Sequence, residues 1–192
     1  MPVLEVHLLE GYLPDERRRL AESLTDATRM VVPAPAEAVT VVIHEMDTDN
    51  YYRGRVTRQG AAALPDPCAM VQAFLEALGA RELDIAQSFL AKDFSMHFPG
   101  TEPMFALKEL VEWSKPRYSS IEKHLEGTEA FGSPDGATIV YCRGTLSGVW
   151  TDGTSFEGIR FIDRFELVGG KIQRQEVWND LGEAQHAKAA AR

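Results

Sequence analysis

Two cysteines in 192 residues, Cys68 and Cys142, are too few for a disulfide framework, and they match no zinc spacing. They fit a reduced, cytoplasmic protein, with a disulfide between them as the less favoured alternative. No stretch approaches the roughly 18 apolar residues of a membrane span. Glu5 and His7 interrupt the first apolar run, so no secretory signal is expected. Cations are in the minority, with 20 Lys and Arg against 29 Asp and Glu, a net charge of -9. That balance disfavours nucleic acid and anionic membranes as partners. No phosphate-binding glycine loop, dinucleotide fingerprint or His/Cys cluster occurs, so neither a metal nor another cofactor is implied. What remains is a chain with 44% hydrophobic residues, long enough for one large or two small domains.

The second residue is Pro2, and it opens the apolar run Val3-Leu4-Glu5-Val6-His7-Leu8-Leu9. Initiator methionine is commonly trimmed before proline, which would leave Pro2 with a free secondary amine. An α-amino group titrates near about 8. Burial lowers that value, and a base poised near working pH is what proton transfer requires. If Met1 is retained, the same nitrogen is a tertiary amide and no base. The plain alternative is that Pro2 only starts an edge strand, where a missing N–H costs nothing.

The first segment reads strand, helix, strand. Pro14-Asp15-Glu16 starts a helix, and Leu20, Leu24, Ala27, Met30 and Val31 recur at helical spacing. Pro33-Ala34-Pro35 stops it, and Val39 to Ile43 is a β-branched second strand. Such a unit has parallel strands and is too small to cover its own sheet. From Arg53 to Pro67 the pattern dissolves into a linker. Beyond it, helices are expected over Ala69–Leu78, Glu82–Leu90 and Leu107–Ser114, with a short strand over Phe94–Phe98. Strands follow over His124–Phe131, Ala137–Trp150, Phe156–Val168 and Lys171–Trp178, joined by Pro134-Asp135-Gly136, Thr151-Asp152-Gly153 and Gly169-Gly170 turns. The alanine-rich end reads as a frayed tail.

Pro2, the strand ending Leu8-Leu9-Glu10-Gly11, the helix from Asp15 and the run Val39–Met46 resemble 4-oxalocrotonate tautomerase and its superfamily. The resemblance implies an amino-terminal proline acting as general base on an enolisable keto acid, in β-α-β subunits that assemble as dimers or hexamers. It also implies two substrate-holding arginines, and here those positions are Tyr12 and Thr40. Tyr51 corresponds to the aromatic residue of the family pocket. Pro2 is thus kept while the anion clamps are lost, which disfavours a dicarboxylate and leaves Tyr12, Thr40 and Tyr51 as a neutral, hydrogen-bonding set. His7 and His44 lie on the strands, with His44 sharing the parity of Thr40. Arg53 and Arg55 are candidate replacement cations.

The second segment, with His97-Phe98-Pro99-Gly100, Gly170-Lys171-Ile172 and Trp178-Asn179-Asp180, resembles the nuclear transport factor 2-like fold and its SnoaL-like branch of polyketide cyclases. That implies a conical apolar cavity worked by Asp or His. Phe161, Asp163, Phe165 and Leu167 share one strand face, opposite Arg160, Ile162, Arg164 and Glu166. A lone carboxylate among phenylalanines holds its proton tightly and can serve as a base. His97, Trp113, Tyr118, Asp163, Trp178 and Asp180 are the cavity candidates, each with core packing as its alternative role. In the branch's motif after the Gly-Lys-Ile turn, this chain carries Gln175-Glu176-Val177 instead of a His/Trp-Asp cluster.

The expected fold class is α+β: a tautomerase-like β-α-β unit (1–55), a linker (56–67), and a cone-shaped α+β barrel with a curved antiparallel sheet (68–186), then a tail (187–192). The expected function is an isomerase moving a proton on a small enolisable carbonyl substrate, with the second domain binding or further processing it. The alternative is a cyclase, dehydratase or apolar-ligand site in the cone, with the first domain serving only in homo-oligomer formation.

Overall fold

Alternation of exposed and half-buried residues from Val3 makes β1 (Val3–Leu9) a strand with one covered face. The computed structural model describes residues 1–190. After β1, Pro14 occupies the first turn of helix α1 (Pro14–Arg29), and Glu16 accepts the Leu13 N–H at 2.7 Å. β2 (Thr40–Met46) pairs parallel with β1, Val3 opposite Thr40 and His7 opposite His44. Met30 and Val31, expected on the helix's apolar face, are 86% and 85% exposed because the helix ends at Arg29. Where a linker is expected from Arg53, β3 (Tyr52–Arg53) and β4 (Val56–Thr57) form a small hairpin. Gly54 and Arg55 turn it, both at positive φ, a two-residue solution that an Arg at the second position disguises in sequence.

The chain divides into two compact units, Met1–Ala63 and Leu64–Arg192. The first has no fully buried residue. Its two-stranded sheet carries α1 on one side and leaves Val3 59% exposed on the other.

In the second unit Asp66 caps α2 (Pro67–Gly79) by accepting the Ala69 N–H at 3.0 Å. α3 is short (Leu83–Ser88), and Leu90, expected to close it, instead opens β5 (Leu90–His97). Leu90 pairs with Ile172, a long-range contact that outweighs local helical spacing. α4 (Leu107–Ser114) precedes the long strands β6 (Tyr118–Gly132), β7 (Thr138–Trp150), β8 (Ser155–Val168) and β9 (Lys171–Asn179). The order is β5-β9-β8-β7-β6, with β5 parallel to β9 and every other pair antiparallel. The curved sheet is therefore mixed, and it is not closed into a barrel.

One apolar cluster joins Val71 and Phe74 of α2 to Val140, Phe165 and Ile172 of the sheet, with the Phe74 and Phe165 rings edge to face at 6.0 Å. A second gathers Leu146, Trp150, Ile159 and Phe161. The expected tail is instead a helix, α5 (Leu181–Ala190). Leu181 and Ala184 pack on the second cluster, and Lys188 bonds Asp152 and Thr154, tertiary anchors that alanine-rich sequence does not reveal. Residues 191–192 of that expected tail lie outside the described residues. Among the described residues no helix is long and apolar enough to cross a membrane.

Candidate functional sites

In the first unit Pro2 precedes β1, and its carbonyl accepts the Thr40 N–H at 3.0 Å. Parallel pairing therefore sets Pro2 and Thr40 side by side. The same pairing sends Tyr12 and Tyr51 to the opposite end of the sheet, beyond Leu9 and Met46. A seven-residue strand is roughly 23 Å long, so one copy of the chain does not bring Pro2 and Tyr12 together. Arg17 is no free cation for that end, since its guanidinium donates to the Tyr12 carbonyl at 2.9 Å and pairs with Glu45 at 2.5 Å. His7 and His44 stack on the exposed sheet face, ring centroids 4.9 Å apart. Arg53 and Arg55 lie in the β3–β4 hairpin and are exposed.

In the second unit a cavity of about 550 Å³ opens between the two apolar clusters. α2, α4, α5 and the concave face of the sheet supply its walls, among them Leu75, Leu110, Trp113, Ile121, Phe161 and Val177. A volume of this size suits one small organic molecule. Glu76, Arg81 and Glu122 border it and are exposed. Trp113 is held against Phe98 (5.2 Å between centroids), and the Arg117 guanidinium lies 4.0 Å over its ring. Tyr118 also lines the cavity, and burial pushes its hydroxyl pKa up, against the opposing pull of Arg81, Ser114 and Arg117.

The polar floor is built from three strands. Strand parity turns Ile121, Lys123 and Leu125 of β6 inward, and Lys123 and Gln175 both line the cavity. Behind them Asp163 of β8 is fully buried. Its Oδ2 accepts hydrogen bonds from Lys123 and, at 3.2 Å, from Gln175 Nε2. The expected lone carboxylate is thus one half of an ion pair. Its partner comes from 40 residues earlier in the chain, across the intervening strand β7. Lys123 Nζ also sits 4.5 Å from the Phe161 ring centroid. Asp163 Oδ1 and Gln175 Oε1 are buried and have no hydrogen-bond partner among the described residues.

Three cavity candidates lie elsewhere. His97 faces outward on β5 and bonds the Thr101 carbonyl at 2.7 Å, because the inward parity belongs to Phe94 and Met96. Trp178 is 52% exposed on the outer face of β9, where Gln175 and Val177 take the inward positions. Asp180 pairs with Arg160 at 2.6 Å at the surface. Lys123 and Gln175 are absent from the sequence-derived set. The signal for Lys123 was a lysine between Ile121 and Leu125 at alternating parity, hidden when the strand is started at His124.

Residues 2–58 match the family model of the tautomerase enzymes. A probable tautomerase of Streptococcus mutans is 33% identical over 61 residues, 31% of this chain and 100% of that protein. The 2-hydroxymuconate tautomerase of Bacillus subtilis is 37% identical over 51 residues, 27% of this chain and 82% of that one. A crystal structure of a nuclear transport factor 2-like protein of unknown function from Burkholderia pseudomallei superposes with a TM-score of 0.51 at 17% identity. It covers 60% of this chain and 92% of its own, a likeness of fold alone. The second unit, later in the chain, has the nuclear transport factor 2-like fold, and through residues 2–58 the chain belongs to the tautomerase family of isomerases.

Proposed function

We propose that the chain is a proton-moving isomerase whose base is the Pro2 amine, exposed by removal of Met1. The observation that carries this reading is that the family match begins at Pro2 itself. The amine takes a proton from the carbon next to a carbonyl, the electron pair moves to oxygen as the enolate, and the proton is returned at oxygen or at a conjugated carbon. No atom is gained or lost, and no cofactor is needed. Tyr12 and Thr40 carry no charge, so the favoured substrate is a neutral or singly charged enolisable carbonyl compound and not a dicarboxylate. With Pro2 and Thr40 at one end of the sheet and Tyr12 and Tyr51 at the other, the pocket is completed between copies in a homo-oligomer. The absence of any fully buried residue in the first unit supports association. The second unit binds or further processes the same class of molecule.

Intact mass of the purified chain is the first test. A mass lacking methionine, together with at least about 10²-fold loss of phenylenolpyruvate ketonisation in Pro2→Ala, supports the reading. Retained methionine with undiminished turnover overturns it. A second reading, with cyclase or dehydratase chemistry in the cone and the first unit acting only in assembly, is favoured by the hydrogen-bonded Lys123–Asp163–Gln175 group at the cavity. Under that reading Asp163→Asn abolishes activity and Pro2→Ala does not.

A further inference from the structure

We infer that Lys123 and Gln175 form the recognition site of the second unit's cavity, and that they select an apolar ring compound carrying an enol or phenol hydroxyl. The inference deepens the substrate-binding role proposed above for that unit and rests on it. Three observations carry it.

The first is the imbalance of donors and acceptors. A lysine ammonium has three N–H donors. Among the described residues Lys123 spends one of them, on Asp163. Asp163 is sealed, but Lys123 keeps 26% of its side chain exposed and borders the cavity. Its remaining donors suit an acceptor oxygen. Gln175 presents the reverse, since its Nε2 is committed to Asp163 while Oε1 is buried without a donor. A buried acceptor left unpaired is costly, so a group able to donate there is favoured. A hydroxyl on an unsaturated carbon offers both functions from one atom, as acceptor to Lys123 and donor to Gln175.

The second is charge. Lys123 and Asp163 cancel, so a carboxylate ligand would lack a net counter-ion at the cavity floor, and a neutral hydroxyl meets no such deficit. The third is the surrounding wall. Phe161, Trp113, Leu110 and Ile121 offer flat and branched apolar surface, as a ring system requires. Asp163 touches no ligand in this arrangement. It is a positioning residue that fixes the Lys123 ammonium and the Gln175 amide.

The test uses the full chain and two probes, 2-naphthol (a stable enol on a fused ring) and naphthalene, titrated by calorimetry. The wild-type chain is expected to bind 2-naphthol at least about tenfold tighter than naphthalene. Lys123→Met leaves Asp163 buried without its partner and can fail to fold, so the Lys123→Met/Asp163→Asn double variant, which exchanges the ion pair for neutral groups, is measured beside it. In the folded double variant the preference should fall to about twofold or less while naphthalene affinity holds. Equal affinity for both probes in the wild type, or a preference that survives the double variant, overturns the inference. Binding of neither probe overturns it together with the binding role on which it rests. Loss of Pro2 chemistry is read in the other unit and leaves this result untouched.

Discussion

Lys123 on β6 and Asp163 on β8 are ion-paired across the whole width of β7, one partner bordering the cavity and the other fully buried. On β7 the residues opposite them are Leu146 and Cys142, with Gly144 between. Removing one member of such a pair costs more than removing both, because a buried charge is left alone. Lys123→Met should destabilise the second unit by about 3–5 kcal/mol, and the double variant with Asp163→Asn should recover a large part of that. All three tryptophans, Trp113, Trp150 and Trp178, lie in the second unit, so denaturant unfolding followed by tryptophan fluorescence reads that unit alone.

Gly144 on β7 has no room for a side chain against β6. A Cβ there would lie 1.9 Å from the His124 carbonyl oxygen, which is backbone and cannot swing aside. Gly144→Ala should therefore cost at least about 1–3 kcal/mol, the usual penalty for overpacking. The register of β6 shifts close by, between Leu125 and Gly127, so the displaced backbone should also disturb Lys123. Fluorescence-detected unfolding gives the first effect, and 2-naphthol affinity the second.

Cys142 supplies an alkaline signature. Burial pushes its thiol pKa from 9.0 to about 11. The folded thiol thus keeps its proton at a pH where the unfolded one has lost it. Its stabilising contribution is complete below pH 9 and is lost as pH rises from 9 to about 11, amounting to roughly 2–3 kcal/mol. The unfolding midpoint of the second unit should fall across that window, and the slope should flatten in Cys142→Ala. An unchanged slope in the variant would assign the fall to other groups, Tyr118 among them, whose pKa burial also raises.

A pocket completed between copies predicts complementation. Pro2→Ala chains lack the proposed base, and Tyr12→Ala chains lack a group at the opposite end of the sheet. Unfolding and refolding the two variants together creates hybrid assemblies in which one site receives both native residues. The mixture should exceed the summed phenylenolpyruvate activity of the parents refolded separately. Strict additivity would mean that each copy builds its site alone.

The local pattern carried most of the architecture. Strand alternation in Val3–Leu9, the Pro14 helix start and the turns at Asp135-Gly136, Asp152-Gly153 and Gly169-Gly170 all act over a few residues, and each is legible. What was hidden depends on distant partners. Leu90 reads as helical until Ile172 is beside it, and α5 reads as a tail until Lys188 finds Asp152. The site was affected in the same way. Asp163 was visible as a carboxylate among phenylalanines, but the ammonium that balances it comes from another strand. His97, Trp178 and Asp180 were drawn to the cavity by residue type, whereas β5 and β9 parity and the Arg160 pair direct them outward.

The parallel pairing of β5 with β9 also bears on how the protein is made. Gln173 reaches back 80 residues to bond Asp93, so the first strand of the second unit waits for the last. Closing so long a loop is slow. On the ribosome the tautomerase unit emerges first, while β5 still lacks its partner strand β9. If the first unit assembles as proposed, several unfinished second units are gathered in one place, where exposed edges can pair wrongly. Slowing translation after β5 should therefore lower the yield of folded full chain, read as soluble protein per synthesised chain.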